Sequence, residues 1–449
     1  MGITIVQKSD LNQKKKNPKV ALVLAGGAVT GGAFKLGGLK ALDDFLVNRK
    51  TTEFDTYVGL SAGAFLAAPL AAGVSPAEML RSLQGRSQQF SQLRPRDFYH
   101  PNLGEFVERP LAFVRDVLLY FPGIVWDLLG EAPDLIRRLR RPLESMLAAP
   151  RSEALNEVLH ALGEALARCR GFPFALDYLP SGIFDNSSLE AFLRENLERN
   201  GIANDFRELY RATGRELYIS AMNLDTAERV VFGHDEDVSL TISEAVQAST
   251  ALPGFYKPAR IRGVDYVDGG VRRTANLDVA IEHGADLIIC YNPFRPFSNR
   301  VRRRFNKARN RWEVEGKPLA DGGILTVLNQ VLRTLLHSRL QYGLRQYQDD
   351  PNFQGDIIVI EPKETDLQFF RMNVLAFWHR LRAAQHGYLS VTDSLDQNFD
   401  LLKRILESYG ILMTRKAART AVDRLRDEEL EQSADVLLED VPRRNLSVA

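Results

Sequence analysis

Val20-Ala-Leu-Val-Leu24 is an unbroken apolar run that leads directly into Ala25-Gly-Gly-Ala-Val-Thr-Gly-Gly32. A run of strand length with no polar position has no face to offer water. It suits a strand covered on both faces of a parallel sheet. A helical pattern follows from Ala33 to Leu46, with apolar residues at Phe34, Leu36, Leu39, Leu42 and Leu46. A second β-type run, Tyr57-Val58, meets Gly59-Leu60-Ser61-Ala62-Gly63, and an Ala/Leu-rich helical segment comes next. The pattern is a β–α–β unit with a glycine loop after its first strand and a serine after its second.

The serine stands in Gly-x-Ser-x-Gly at a strand-to-helix turn. A sharp turn of this kind strains the serine backbone and projects its hydroxyl clear of the sheet, and glycine at 59 and 63 avoids collision with neighbouring backbone. The following helix aims its amides at the same spot, which favours negative charge near Ser61. The same five residues also describe a tight turn with a serine N-cap. Adjacent parallel strands end side by side, so the glycine loop and Ser61 face one crevice.

Three uses of the glycine loop compete. A phosphate-binding P-loop needs Gly-Lys-Ser/Thr at its end, and none is present. A dinucleotide fingerprint needs glycine where Ala28 stands, and its acidic ribose partner would fall where this chain puts Ser61. The third use is an oxyanion hole, in which one backbone donor is worth about 3 kcal/mol. That use fits acyl transfer.

A nucleophilic serine needs a base. His283 follows Asp268 and could complete a Ser–Asp–His order. The α/β-hydrolase elbow, however, lies several strands into its sheet, whereas Ser61 follows only the second strand. His283 also precedes Gly284 near a helix end, where it caps the last turn. The other candidate is Asp268, in Asp265-Tyr-Val-Asp-Gly-Gly270. A carboxylate serves as base where a low-dielectric setting raises its pKa. The same residues also read as an ordinary Asp-Gly turn.

In combination these motifs resemble the patatin-like phospholipases. The resemblance is carried by Leu24 to Leu39, by Gly59 to Gly63, and by Ala248-Ser-Thr-Ala-Leu-Pro-Gly-Phe255 ahead of Tyr266-Val-Asp-Gly-Gly270. It covers roughly residues 19–75 and 180–295. It implies an α/β fold with a mostly parallel central sheet flanked by helices in three layers, plus a helical insertion and a helical C-terminal extension. It also implies that Ser61 is the nucleophile, that Asp268 is the general base, and that the amides of Gly26, Gly27 and Ala28 form the oxyanion hole. Gly31, Gly59, Gly63, Gly269 and Gly270 would support these motifs. No metal or other cofactor is implied, and the substrate would be a lipid or other acyl ester. Two departures stand out: alanine at 28 where the family has glycine, and threonine at 30 near the family's Arg or Lys. The second leaves that spot without its usual cation. Two alternatives remain open: a soluble esterase or thioesterase with the same Ser–Asp dyad, and a lipid-binding scaffold with a dead site.

The rest of the chain is organised around this unit. Residues 1–18 are polar, with Lys14-Lys15-Lys16, and read as a disordered lead. A catalytic domain spans 19–295, with a helical cap insertion at about 77–179. Residues 296–414 hold a basic loop, helices and a last strand, Asp356–Ile360. Residues 415–449 form a charged helical tail. In the insertion, Phe113, Val114, Val117, Leu118 and Phe121 make one stripe, and Ile124, Val125, Leu128 and Leu129 make another after Pro122-Gly123. With Arg137, Arg138, Arg140 and Arg141 following, such stripes suit either the inside of a cap or a lipid interface. Residues 295–311 are rich in arginine and interleaved with Phe297 and Phe305. They read as a solvated loop or as a surface for an anionic membrane.

Composition excludes some partners. A net charge of +1 gives no global field toward nucleic acid, and no recognised nucleic-acid motif accompanies the basic patch. Two cysteines, Cys169 and Cys290, cannot build a disulfide framework and fit a reducing, cytoplasmic setting. The opening MGITIVQKSD lacks the apolar core of a secretory signal. The uncharged run Thr56–Ala77 is broken by Gly and Pro and reads as core rather than a membrane span. Any membrane is therefore expected to be met peripherally.

Overall fold

The computed structural model describes residues 2–148, 175–307 and 309–427. These fall in two compact units, one made of residues 1–100 and 184–449, the other of residues 101–183.

The larger unit is built on a nine-stranded sheet. In chain order its strands are β1 (Ile3–Val6), β2 (Val20–Leu24), β3 (Thr56–Leu60), β4 (Glu216–Asn223), β5 (Arg229–Phe232), β6 (Ala259–Ile261), β7 (Val264–Asp268), β8 (Leu287–Tyr291) and β9 (Asp356–Ile360). Followed through its hydrogen-bonded pairs, the sheet runs β1-β9-β8-β2-β3-β4-β7-β6, with β5 also paired to β4. The central strands β9, β8, β2, β3 and β4 run parallel. The strands nearer the edges are antiparallel to their neighbours.

The helices packed on this sheet include α1 (Ala28–Phe45), α2 (Ala62–Ala71), α3 (Pro76–Gln84), α4 (Ile242–Thr250), α5 (Leu277–Glu282), α6 (Gly323–Asp349) and α7 (Arg380–Gln397). Side chains alternate across β2, as strand geometry requires. Val20, Leu22 and Leu24 join a core with α1, α2, α3, α4 and α7. Ala21 and Val23 join the opposite core with α5 and α6. The run 20–24 is thus buried on both faces, and the unit is a three-layer α/β sandwich.

Several sequence expectations meet a different structure. Residues 1–18 read as a disordered lead, yet Ile3–Val6 pairs antiparallel with β9. The run Ile3-Thr-Ile-Val6 is mostly β-branched and suits a strand. Its exit is held by Asp356, whose carboxylate accepts from the amides of Lys8 (2.7 Å) and Ser9 (2.9 Å). The helix Pro76–Gln84 falls at the start of the expected insertion, but its Met79 and Leu80 belong to the main core. The expected basic loop is partly a hairpin, Arg302–Asn306 paired with Arg311–Glu315. Opposite charges face each other there, Arg302 with Glu315 and Arg304 with Glu313, an arrangement that favours pairing.

The smaller unit is dominated by one helix, Leu103–Ala148, which runs through Pro122-Gly123 without a break in assignment. The two stripes expected there lie on this single helix. Val114, Leu118, Trp126 and Leu129 are exposed on it. Its arginines pair locally, Arg138 with Asp134 at 2.8 Å and Arg140 with Glu144 at 3.2 Å. The segment expected to finish the cap at 149–174 lies outside the described residues, as does Cys169. Of the expected tail, Lys416–Asp427 is helical, and residues 428–449 lie outside the described residues.

Among the described residues, no helix is long and apolar enough to cross a membrane. Thr56–Ala77 instead supplies β3, α2 and the start of α3.

Candidate active site

The pairing of one strand brings Ser61 and Asp268 together. β3 pairs with β4 over Glu216–Ser220, and β5 pairs with β4 over Ile219–Met222. A strand has two edges, so β3 and β5 occupy opposite ones. β7 pairs with β4 at Ala221–Asn223, where β5 already holds its own edge. β7 therefore lies end to end with β3 along the same edge. β3 runs parallel to β4 and stops with Leu60 opposite Ser220, and β7 runs antiparallel and stops with Asp268 opposite Ala221. The two chains arrive from opposite directions at consecutive residues, and Ser61 follows Leu60.

The turn at Ser61 is strained. Its φ of 55° and ψ of −128° lie where a side chain is disfavoured. The close approach of α2 to β2 explains the glycine two residues on, because a Cβ at Gly63 would lie 2.0 Å from the carbonyl oxygen of Leu24. The strained turn is pinned by a hydrogen bond of 2.8 Å from the Ser61 amide to the hydroxyl of buried Ser249. Two residues on, the carbonyl of Ala251 accepts from the Asp268 amide at 2.9 Å. The segment 249–251, at the end of α4, thus fastens both residues. Gly59 is the penultimate residue of β3, and Gly269-Gly270 form the turn after β7.

The Ser61 side chain stands close enough to the Asp268 carboxylate to hold its pKa down. The carboxylate also accepts from the Gly270 amide at 2.8 Å. Asp268 is only 5% exposed and Ser61 only 6%. Burial pushes the Asp268 pKa up from 3.8 to about 6, against the opposing effects of Ser61, Gly270 and the charge of Lys35.

The glycine loop stands beside the serine. β2 and β3 are in register, Leu24 opposite Gly59, so the loop leaves the sheet at the same level as Ser61. A Cβ placed on Gly26 would lie 3.3 Å from the Ser61 Cβ. Gly27 has φ of 152° and Ala28 has φ of 51°, and Gly31 sits in the first turn of α1. Ala28 tolerates the left-handed region despite its Cβ. The amides of Gly26, Gly27 and Ala28 donate to no group among the described residues.

Lys35 was not singled out by its sequence. It is fully buried in α1, and its ammonium donates to the carbonyl oxygens of Ala25 and Gly26, the latter at 3.1 Å. Burial lowers its pKa from 10.5 to about 7, while the charge of Asp268 opposes that fall. A cation therefore does lie under the loop, supplied from the next turns of the helix rather than from position 30. A lysine in an otherwise apolar helical stripe was the available signal. Ser249 was also missed as an individual residue, although the stretch containing it was noted.

Ser61, Asp268, Gly26, Gly27 and Ala28 line one cavity of about 410 Å³. That size falls in the range of about 300–1,000 Å³ found for small-molecule sites. Its wall is mostly apolar, with Phe65, Leu66, Phe192, Leu193, Phe255 and Phe369 among the lining residues. Among the described residues, no histidine lines it. His283 is at the end of α5, its Nδ1 2.8 Å from the Val279 carbonyl and its Nε2 facing Asp235 and Glu236 at 3.6 and 3.4 Å. Among the described residues, no cluster of His, Cys, Asp or Glu is arranged to hold a metal ion.

Comparison with known proteins gives matches in sequence and in structure. "Probable lipid hydrolase 463L" of Invertebrate iridescent virus 6 is 23% identical over 104 residues, which is 23% of this chain and 36% of that protein. The chain thus matches about a third of the length of that curated relative. Among solved structures, VipD from Legionella pneumophila aligns with a TM-score of 0.31 and 14% identity, covering 100% of this chain and 97% of that one. Human GIVD cytosolic phospholipase A2, solved with methyl gamma-linolenyl fluorophosphonate, aligns with a TM-score of 0.29 and 11% identity, covering 88% and 60%. The family model for patatin-like phospholipase matches residues 22–281, a span that encloses the glycine loop, Ser61 and Asp268. With more than half of its length matched in this way, the chain belongs to the patatin-like phospholipase family.

Proposed function

We propose that the protein hydrolyses fatty-acyl esters of lipids, with Ser61 as nucleophile and Asp268 as general base. The observation that carries this reading is the juxtaposition of a strained serine and a buried carboxylate, both lining one apolar cavity. Family membership and the lipid-hydrolase relative support the lipid substrate.

The chemistry follows from the groups present. As Ser61 Oγ attacks the ester carbonyl, its proton passes to Asp268, whose raised pKa suits that task. Negative charge develops on the carbonyl oxygen beside the free amides of Gly26, Gly27 and Ala28. Collapse expels the alcohol, which takes the proton from Asp268 and leaves an acyl-enzyme on Ser61. Water then gives its proton to Asp268 and attacks the acyl carbon. The second collapse returns that proton to Ser61 and releases the fatty acid. The acyl chain occupies the apolar cavity.

Lys35 orients the loop in this scheme. A trans peptide is planar, with its C=O and N–H pointing in opposite directions. Holding the carbonyls of Ala25 and Gly26 on one side therefore turns the amides of Gly26 and Gly27 to the other. In that role Lys35 replaces the cation that the family carries near position 30.

A fluorophosphonate probe tests the reading. It should label the wild-type protein at Ser61, and Ser61→Ala should abolish labelling and ester turnover together. Turnover that persists in Ser61→Ala would reject the assignment.

A further inference from the structure

The first half of α6 is amphipathic in the wrong sense for a helix facing water. Its buried side is Arg333, Leu336, Leu340 and Leu344. Its outward side carries Ile324, Leu325, Leu328, Val331, Leu332 and Leu335, all exposed, with Leu325 at 78% and Leu328 at 55%. These residues recur every three or four positions and form one stripe. From Gly323 to Leu335 the sole charged residue is Arg333, and it is buried. A surface helix ordinarily places its polar residues where this one places leucine. A contiguous exposed apolar face of this kind marks an interaction site.

Two neighbouring features define the partner. The first is charge. The hairpin 302–315 carries Arg302, Arg303, Arg304, Lys307, Arg309 and Arg311 against Glu313 and Glu315, so six basic residues oppose two acidic ones. It also exposes Trp312, at 67%, and Phe305. The Asn299 side chain donates to the Lys317 carbonyl at 3.0 Å, closing the base of the hairpin just ahead of α6. Phe297 and Gln330 exchange hydrogen bonds of 3.1 and 2.8 Å, which strap the approach to the hairpin along the helix. The second feature is continuity. Leu332 and Leu335 belong both to the exposed stripe and to the lining of the cavity that holds Ser61. The stripe therefore reaches the lining of that cavity, where Asn329, Arg333 and Arg339 join it.

We infer that α6 and the 302–315 hairpin form the surface by which this protein docks on an anionic phospholipid bilayer. The leucine stripe enters the acyl boundary, the arginines meet the headgroups, and Trp312 sits at the level between them. An aqueous ester needs no apolar ramp into the cavity, whereas a lipid leaving a bilayer does. In this respect the inference rests on the lipid-hydrolase reading, while the docking surface itself rests on its own residues.

The test separates docking from chemistry. Full-length Ser61→Ala protein is floated with phosphatidylcholine vesicles, with and without phosphatidylserine, across a range of salt. It should float with the anionic vesicles and progressively less as salt rises. In the same background, L325D/L328D/V331D should weaken vesicle binding by about tenfold or more, since the stripe then presents charge where it would enter the acyl boundary. Replacing Arg302, Arg303 and Arg304 with alanine should weaken binding to the anionic vesicles and make the remainder less sensitive to salt. With Ser61 intact, L325D/L328D/V331D should still hydrolyse a monomeric short-chain ester, which confirms folding. The inference is overturned if the Ser61→Ala protein does not float, or if the aspartate variant floats equally well. It is also overturned if sedimentation shows a dimer that those aspartates dissociate, which would assign the stripe to a second copy. Loss of fluorophosphonate labelling at Ser61 would instead strike the hydrolase reading and leave the flotation result standing.

Discussion

The ammonium of Lys35 lies 3.1 Å from the carbonyl oxygen of Gly26, so a buried cation touches the loop proposed to stabilise the oxyanion. Its lowered pKa of about 7 means the charge is present below that pH and lost above it. If the charge holds the loop, turnover should fall as pH rises through about 7. Lys35→Met should lower kcat by about 10- to 100-fold, less than or comparable to removing one oxyanion donor. KM should change little, and the alkaline limb of the pH profile should vanish. A variant that keeps the wild-type profile would remove Lys35 from the mechanism.

Asp268 should control the acid limb. Its carboxylate acts as base only when ionised, so turnover should rise with pH through about 6. Stability should respond in the opposite direction. A carboxyl whose pKa is raised on folding holds its proton more tightly in the folded state. Its contribution to stability is therefore lost as pH rises from 3.8 toward 6. Asp268→Asn removes that buried charge. It should abolish turnover and stabilise the fold above pH 6, by at most on the order of 3 kcal/mol. Thermal melts of both proteins across pH measure this, and equal melting at neutral pH would contradict the buried-charge argument.

His283 should be dispensable for chemistry. Its neighbours include Val279, Asp235, Glu236 and Tyr218, and none of these lines the cavity. His283→Ala should keep most of the turnover measured on a monomeric ester. A loss like that of Asp268→Asn would point to a triad instead.

Ser249 should matter more than its distance from the chemistry in sequence suggests. Ser249→Ala leaves the buried amide of Ser61 without its acceptor, which costs about 1–3 kcal/mol. The strained turn then loses its pin, so kcat should fall while Asp268 is untouched. Ser249→Thr, which keeps the hydroxyl, should restore more of the turnover than of the packing. Full activity in Ser249→Ala would show that the turn holds itself.

Much of the central sheet could be read from local pattern. The apolar runs at 20–24, 287–291 and 356–360 need no partner to be recognised as buried strands, and Gly59 to Gly63 announces a strand-to-helix turn. What local pattern does not carry is register. Nothing around Asp268 indicates that its strand ends one residue along β4 from Leu60, because that depends on pairing partners far away in the chain. Ile3–Val6 was hidden for a related reason: four residues in a polar segment become a strand only when β9 offers an edge. The role of Lys35 is not legible either, because its partners are backbone carbonyls, which leave no mark in side-chain composition. The leucine face of α6 is periodic in sequence, yet periodicity alone cannot say which side of a helix is turned outward.

The abutment of β3 and β7 on one edge of β4 also sets what this architecture can vary. The spacing between hydroxyl and carboxylate is measured along two neighbouring residues, Ser220 and Ala221, and not along the roughly two hundred residues of chain that separate them. Lengthening β4 by one residue at that junction would shift the two by about 3.3 Å and disarm the pair. A change of length elsewhere in that interval, outside the paired strands and the 249–251 segment, leaves this register untouched. The separation of the two side chains is thus a property of one strand's register and not of loop length.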